Sequence, residues 1–416
     1  MIEKHVCPNG VRIVHEKMPH VRSVAIGIWV EAGSADEKES EAGIAHFIEH
    51  MLFKGTTTRS ARNIAEEFDR IGGDANAFTS KEMTCYYTTV LGNHAPRALS
   101  IFADMFFNSA FDEAEIAKEK SIILDEIAAV EDTPDDDVDE RLWGVMYPEQ
   151  AIGKPVLGNE KTINTFERAT IRQFMDRMYT PERLVISIAG NFDERLIKLI
   201  EVQFGSFKRD QQLSSTQVAV QSPVFHSGTT IKAKDIEQAH YCIGYPGLSV
   251  TDSRIHDLII LDSIIGGTMS SRLFQEVREE RGLAYSIYSY YSSYLTTGTF
   301  MIYGGTSPDN INELTETIDG VIASILDEGI TENELHNAKE QLKGGFLLGL
   351  ESSESRMHRN GKNELILGVH RTMDEVVALI DDVKARDVYR LANELLTKKR
   401  ATSIIAPAQV LNSIEN

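Results

Sequence analysis

Two hydrophobic patterns alternate along the first half of the chain. Apolar residues at every second position predict strands, whereas apolar residues spaced three or four apart predict amphipathic helices. The first half shows strand patterns at 22–31 and 183–189, and helix patterns near 60–71, 94–108 and 112–146. The same order returns in the second half, with predicted strands at about 229–246, 284–305 and 402–406 and predicted helices at about 252–266, 308–327 and 331–351. This mixture predicts an α+β fold.

The second half repeats the first at a nearly constant distance. Matching the stretch that begins at Val24 with the one at His240 gives an offset of 216 residues, and matching Arg183 with Arg400 gives 217. Residues 211–228 are polar, rich in Gln and Ser, and without periodicity, so we predict a linker there. We therefore predict two duplicated domains, 1–210 and 229–416, each a mostly antiparallel mixed sheet covered by helices.

Composition is that of an ordinary globular protein, and the charge narrows the choice of partners. With 416 residues, 42% of them hydrophobic and 25% charged, the chain can build two cores. A net charge of −21 would repel nucleic acid and anionic membranes and would attract basic peptides. We therefore expect a peptide partner, with no nucleic acid and no membrane.

Several features favour a cytoplasmic location. No apolar run reaches the roughly 18 residues that a membrane helix requires. The first residues lack the apolar region of a signal peptide and the Arg- and Ser-rich character of a transit peptide. The cysteines, Cys7, Cys85 and Cys242, are far apart and odd in number, which favours a reducing compartment with inert thiols.

The pentad His46-Phe-Ile-Glu49-His50 is the most informative chemical feature. On a helix, histidines four residues apart lie on one face and can bind a single zinc ion through neutral imidazoles. A carboxylate beside them that is not a ligand can accept a proton from water, as in the zinc proteases with this inverted motif. Two surface histidines and a solvated Glu on an amphipathic helix are the alternative. At the offset of 216, the three residues fall on Asp262, Ile265 and Gly266, so only the first half carries this chemistry.

A catalytic zinc site usually has a third protein ligand. The acidic helix predicted around 112–132 offers Glu119 and Glu126, which are seven residues apart and so share a face beside apolar residues. A metal or a metal-bound histidine would stabilise a carboxylate placed there. Equally, many Glu side chains near an apolar stripe extend to solvent and bind nothing.

The stretch AHFIEHMLFKGT, with Glu126 seventy-six residues after His50 in an E-x6-E pair, resembles the pitrilysin or insulinase family of zinc peptidases. The similarity runs through nearly the whole chain and is greatest to the short, two-domain branch that contains the mitochondrial processing peptidase subunits and their bacterial relatives. It implies Zn²⁺ as cofactor, His46, His50 and Glu126 as ligands, Glu49 as general base, and Glu119 as a carboxylate that orients a ligand.

Residues 266–291 of the second half carry another motif of this family. A helix over 272–280 should end at Gly282 and lead into an aromatic strand. The resemblance implies that Tyr285 donates a hydrogen bond to the tetrahedral oxyanion and that Arg278 binds a substrate carbonyl. From the residues alone, Tyr285 would be a core aromatic and Arg278 a surface charge.

Two segments of the first half concern the substrate. Residues 72–90 predict an edge strand and hairpin, and Asn76, Ala77 and Phe78 resemble the family strand to which a peptide adds as an extra strand. Turn chemistry is the alternative for Asn76. Asp136 and Glu140 lie in an acidic run where the processing peptidases hold a substrate arginine, although such a run is also typical of a solvated helix start.

Assembly and function follow from the resemblance as expectations. Longer family members have four such domains, so a two-domain chain would complete the chamber as a homodimer. In it, Arg278 and Tyr285 would serve the other subunit. We expect a zinc endopeptidase that cleaves unfolded or presequence-like peptides with a preference for basic residues. The rivals are a structural or assembly subunit and a zinc enzyme that hydrolyses small-molecule amides.

Overall fold

The computed structural model describes residues 2–208 and 222–414, which form two compact units. The strands are β1 (Ile2–Val6), β2 (Arg12–Lys17), β3 (Ser23–Val30), β4 (Asp74–Thr79), β5 (Thr84–Leu91), β6 (Leu184–Gly190), β7 (Gly228–Ala233), β8 (Ala239–Pro246), β9 (Ala284–Ser293), β10 (Gly298–Thr306) and β11 (Ala401–Ala406). The helices are α1 (Ile44–Leu52), α2 (Ala61–Arg70), α3 (Ala95–Asn108), α4 (Glu113–Asp132), α5 (Pro134–Met146), α6 (Glu160–Ile163), α7 (Arg168–Met178), α8 (Glu194–Phe204), α9 (Ile255–Ile265), α10 (Ile311–Glu328), α11 (Glu332–Gly349), α12 (Ser353–Ile366), α13 (Met373–Asp382), α14 (Ala385–Leu396) and α15 (Ala408–Ile414).

The two sheets repeat one plan. The first has the order β1-β2-β6-β3-β5-β4, and the second has the order β7-β11-β8-β10-β9. In each sheet one pair is parallel, β2 with β6 and β7 with β11, and the other pairs are antiparallel. Without β1, the orders therefore match strand for strand. This confirms the predicted fold class, two duplicated domains with mostly antiparallel mixed sheets covered by helices.

Helices cover both faces of each sheet, and on one face the same contact recurs. Gly27 on β3 leaves room for Met357 of α12, because a Cβ there would lie 2.3 Å from the Met357 sulfur. Gly244 on β8 leaves room for Met146 of α5 in the same way, at 2.5 Å. The opposite faces carry the two largest cores, built with α1 and α3 in the first unit and with α9 and α10 in the second.

The units do not follow the two halves of the sequence. The first comprises residues 2–128, 154–208 and 348–370, and the second comprises 129–153, 222–347 and 371–414. The predicted bounds 1–210 and 229–416 therefore place α5 and α12 with the opposite units. Most of the predicted linker, residues 211–221, lies outside the described residues.

Four predicted elements differ from the structure. The helix predicted over 112–146 is interrupted at Thr133, since Pro134 has no N–H to donate and begins α5 instead. The strand patterns at 229–246 and 284–305 each contain two strands. The helix predicted over 272–280 is a π-helix at Phe274–Glu280. Among the described residues, no helix combines the length and the apolar character needed to cross a membrane.

Candidate active site

Helix α1 holds the pentad, and a buried carboxylate fixes its start. Gly43 precedes the helix with φ +91°, a left-handed conformation that glycine adopts without strain. The two carboxylate oxygens of Glu37 accept hydrogen bonds from the amides of Gly43 and Ala45, each at 2.8 Å. These amides have no partner within the helix, so Glu37 satisfies them and holds the helix terminus in place.

The three predicted ligands converge on one point. The Nε2 atoms of His46 and His50 are 3.1 Å apart, and each lies 3.9 Å from Oε2 of Glu126 on α4. A tetrahedral zinc ion with bonds of about 2.1 Å holds its ligand atoms about 3.4 Å apart. The observed separations bracket that value. Among the described residues, these are the ones that group as possible metal ligands.

The protonation of the two rings also suits a cation. Nδ1 of His50 donates to Oε1 of Glu119 at 2.8 Å, so when the ring is neutral its Nε2 carries a lone pair, 3.1 Å from Nε2 of His46. Burial acts to lower the pKa of His50, but the hydrogen bond to Glu119 and the nearby carboxylates outweigh burial and raise it, so a metal that binds Nε2 competes with a proton. Burial, followed by the nearby His50, lowers the pKa of His46 to about 4, so that ring is neutral at pH 7. Two lone pairs and a carboxylate oxygen facing one another form a donor set that zinc fits.

Glu119 connects this donor set to Lys54. Its side chain is 1% exposed, and its second oxygen lies 2.8 Å from Nζ of Lys54. Burial alone would raise the pKa of Glu119, but the hydrogen bonds from His50 and Lys54 outweigh burial and lower it. The ionised carboxylate fixes the orientation of the His50 ring, as carboxylates that support metal-bound histidines do.

Glu49 lies beside the donor set and outside it. It is 8% exposed, and its Oε2 accepts a hydrogen bond from the hydroxyl of Thr79 at 2.5 Å. Burial raises the pKa of Glu49, and the Thr79 hydrogen bond acts against that rise. A carboxylate with a raised pKa, free of the metal ligands, can accept and return a proton.

The second unit carries the predicted Arg and Tyr pair. Ser286 pairs with Gly305 and Ala284 with Thr306, so Tyr285 between them is a bulge without a partner in β10. The Tyr285 side chain is 76% exposed, contrary to a core position. The guanidinium of Arg278 lies 4.1 Å from the centre of its ring and donates to its carbonyl oxygen at 3.1 Å.

The comparisons with known proteins agree with these features. The family described as Insulinase (Peptidase family M16) matches residues 12–160, and the Peptidase M16 inactive domain matches residues 165–342. A Bacillus subtilis protein named uncharacterized zinc protease YmxG is 50% identical over 408 residues, 98% of this chain and 99% of the relative. The chain belongs to the insulinase family of peptidases. The uncharacterized zinc protease SCO5738 of Streptomyces coelicolor is 38% identical over 413 residues, 98% of this chain and 90% of the relative.

Two solved structures share the fold of this insulinase-family chain. A protease from Helicobacter pylori superposes with a TM-score of 0.90 at 22% identity, covering 98% of this chain and 99% of that one. A peptidase M16 inactive domain from Pseudomonas fluorescens gives 0.89 at 19% identity, covering 98% of both chains. The predicted family is therefore confirmed, and with it the class of zinc metalloprotease.

The substrate residues predicted from the resemblance fall in both units. Strand β4, with Asn76, Ala77 and Phe78, lies at one edge of the first sheet. The side chain of Asn76 accepts from the Ala77 amide at 2.8 Å, a local contact of the kind that turn chemistry provides. Asp136 is exposed and Glu140 is half-buried on α5 in the second unit. Their roles in binding substrate stay predictions.

The structure adds three residues that sequence reasoning missed. They are Glu37 at the start of α1, Lys54 beside Glu119, and Thr79 beside Glu49. Lys54 follows His50 by four residues and lies just after the end of α1, and this short separation could have indicated it. For Glu37 and Thr79 the contacts depend on loops and on strand pairing.

Proposed function

We propose that this chain is a zinc-dependent endopeptidase that cleaves extended, unfolded peptides with a preference for basic residues. The observation that carries the proposal is the convergence of His46, His50 and Glu126, with Glu49 beside them and not among them. That arrangement separates the ligands from the general base, as hydrolysis of an amide requires.

The residues divide the chemistry among them. Zinc held by these three ligands would act as a Lewis acid, polarising the peptide carbonyl and making water more acidic. Glu49 takes the proton from the attacking water and returns it to the leaving amine. Tyr285 donates to the oxygen that becomes negative in the transition state, and Arg278 binds a neighbouring carbonyl of the peptide.

The edge strand β4 supports an extended substrate. A peptide that pairs with β4 is held by its backbone, so it must be unfolded, whereas its side chains are free to vary. The net charge of −21 favours basic peptides through long-range attraction. Asp136 and Glu140 would add a local preference for Arg or Lys near the scissile bond.

Metal analysis combined with peptide cleavage tests the proposal. The purified chain should contain one zinc and cleave a quenched basic peptide, and a chelator should abolish cleavage. Glu49→Gln should keep zinc and lose turnover. Bound zinc without cleavage of any peptide would favour a structural subunit, and cleavage by Glu49→Gln at the wild-type rate would refute the role of Glu49.

A peptide library tests the basic preference. The wild type should favour Arg or Lys near the cleaved bond, and Asp136→Asn with Glu140→Gln should weaken that preference while zinc content stays the same. A uniform library profile for the wild type, or an identical profile for the variant, would contradict this part of the proposal.

Pairing of two chains would complete a chamber of four domains, the number found in longer family members. In such a homodimer, Arg278 and Tyr285 of one subunit serve the zinc site of the other. Mixing Glu49→Gln with Tyr285→Phe should then restore activity above that of either variant, to about a quarter of wild type if subunits pair at random. No restoration after subunit exchange, or a fully active monomer in ultracentrifugation, would refute the pairing.

A further inference from the structure

The general base has a partner on the edge strand that the family motifs did not assign. Thr79 is the last residue of β4, and its hydroxyl oxygen lies 2.5 Å from Oε2 of Glu49. A carboxylate as buried as Glu49 needs hydrogen-bond donors to hold a single orientation. Because Oε2 accepts the Thr79 hydrogen bond, Oε1 is the oxygen that remains to accept a proton from water.

The surrounding hydroxyls determine the direction of this bond. Thr84, paired with Thr79 in the ladder, donates its proton to the carbonyl of Ala32 at 2.9 Å. Its oxygen is 3.4 Å from that of Thr79, a weaker contact than the one to Glu49. Since a hydroxyl has one proton, Thr79 donates it to the closer, ionisable acceptor.

The position of the hydroxyl is fixed by the backbone. The amide of Ser80 donates to the carbonyl of Met83 at 2.8 Å, which closes the β4–β5 hairpin directly after Thr79. Thr84, the residue of β5 that pairs with Thr79, is fully buried. As a β-branched residue in a strand, Thr79 also has few side-chain rotamers.

We propose that Thr79 is a positioning residue for Glu49. It selects the carboxylate orientation in which Oε1 faces the attacking water, and it links that orientation to the strand on which the peptide is aligned. This inference rests on the proposed function, because it assigns Glu49 as base and β4 as the substrate strand. A displaced base lowers the rate of the proton transfer more than the binding of the peptide.

Substitutions that separate shape from hydroxyl test this role. Thr79→Val keeps the branched shape without the hydroxyl, and Thr79→Ser keeps the hydroxyl. We expect kcat of Thr79→Val to fall by about tenfold or more, with KM and zinc content close to wild type, and Thr79→Ser to retain most of kcat. Thr79→Ala provides a second variant without the hydroxyl should Thr79→Val fold poorly.

Three results would overturn the proposal: an unchanged kcat in Thr79→Val and Thr79→Ala, a change confined to KM, or equal losses in Thr79→Ser and Thr79→Val. A crystal structure of Thr79→Val adds a readout that needs no turnover. The Glu49 carboxylate should rotate away from its wild-type orientation, and an unmoved carboxylate would contradict the inference. If the zinc-loaded wild type cleaves no peptide, the proposed function fails, whereas the orientation of Glu49 still tests the role of Thr79.

Discussion

The two units share a strand order but differ in chemistry. In the first, α1 presents His46, Glu49 and His50 toward α4. At the offset of 216, the second has Asp262, Ile265 and Gly266, the last two being the end of α9 and the residue after it. Asp262 accepts a hydrogen bond from Ser289 at 2.6 Å, and burial raises its pKa to about 6. A carboxylate thus bonded within its own unit has no need of a metal.

This difference separates what maintains the fold from what supports the reaction. Both units keep the same strand order, a glycine beneath a methionine on the central strand, and a large core on one face. Those features bury apolar surface and satisfy the backbone, which suffices for stability. Metal ligands cost stability because polar groups are desolvated. Among the described residues of the second unit, no set of side chains groups as possible metal ligands.

Removing a proposed zinc ligand should have the largest effect on activity. Only substitutions in the first unit should have this effect. In Glu126→Gln and His50→Ala, zinc binding should weaken severely and turnover should fall by about a thousandfold or more, since Lewis-acid chemistry contributes several kcal/mol. Asp262→Asn, at the position of the second unit that matches the third proposed ligand, His46, should keep zinc and activity. Elemental analysis and peptide cleavage measure both. Loss of zinc in Asp262→Asn, or its retention in Glu126→Gln, would remove the basis of the comparison.

The substitution Tyr285→Phe tests whether the unit without the metal still contributes to the reaction. Loss of one oxyanion donor typically costs about a hundredfold in kcat, and zinc content should not change because Tyr285 belongs to the second unit. Tyr288→Phe on the same strand, also exposed, is the matched control and should retain kcat. Equal rates for Tyr285→Phe and the wild type would leave Tyr285 without a catalytic role.

The sequence predicts much of this difference between the two units, because the patterns that indicate it are local in the chain. Alternation of apolar and polar residues predicts strands, and the spacing of His46 and His50 indicates a candidate ligand pair. The sequence does not show that α5 packs in the second unit and α12 in the first, because this depends on which sheet face each helix covers. Pro134 does mark the break between α4 and α5, yet the predicted helix ran through it. The bond between Thr79 and Glu49 likewise depends on how β4 docks against α1.

The ion pairs of α4 and α11 give a finer contrast between the units. Lys54 holds Glu119 behind the proposed zinc ligand His50. Arg272 holds Glu334 on α11 at 2.7 Å, and among the described residues no candidate metal ligand lies behind that pair. Lys54→Met should weaken zinc affinity by about tenfold, as loss of a supporting partner does, and Lys54→Arg should largely restore it. Arg272→Met should leave the affinity unchanged. Titration against a chromophoric chelator measures this, and wild-type affinity in Lys54→Met would contradict it.

The carboxyl groups before α1 and before α9 should contribute to stability with opposite dependence on pH. Burial raises the pKa of Glu37 to about 8, although its two amide donors act against that rise. Asp252, just before α9, accepts from the Arg254 amide at 2.8 Å, and hydrogen bonding from Arg254 lowers its pKa.

A raised pKa means that the folded chain binds the Glu37 proton more tightly than the unfolded chain does. Stability from Glu37 is therefore complete below about pH 4.5 and is lost as pH rises toward about 8, by at most about 1.4 kcal/mol per pH unit. For Asp252 the sign is opposite: its contribution is present above the ordinary aspartate pKa and is lost as pH falls.

The melting temperature of the wild type should therefore fall relative to that of Glu37→Gln as pH rises across this range, because the substitution removes the titration. Wild type and Asp252→Asn should converge instead as pH falls below the ordinary aspartate range. A wild-type melting temperature that stays constant or rises relative to that of Glu37→Gln as pH rises would mean that Glu37 is ionised throughout. The amides of α1 and the positive end of the helix would then outweigh burial, and the start of the helix that carries the proposed zinc ligands would be held by charge.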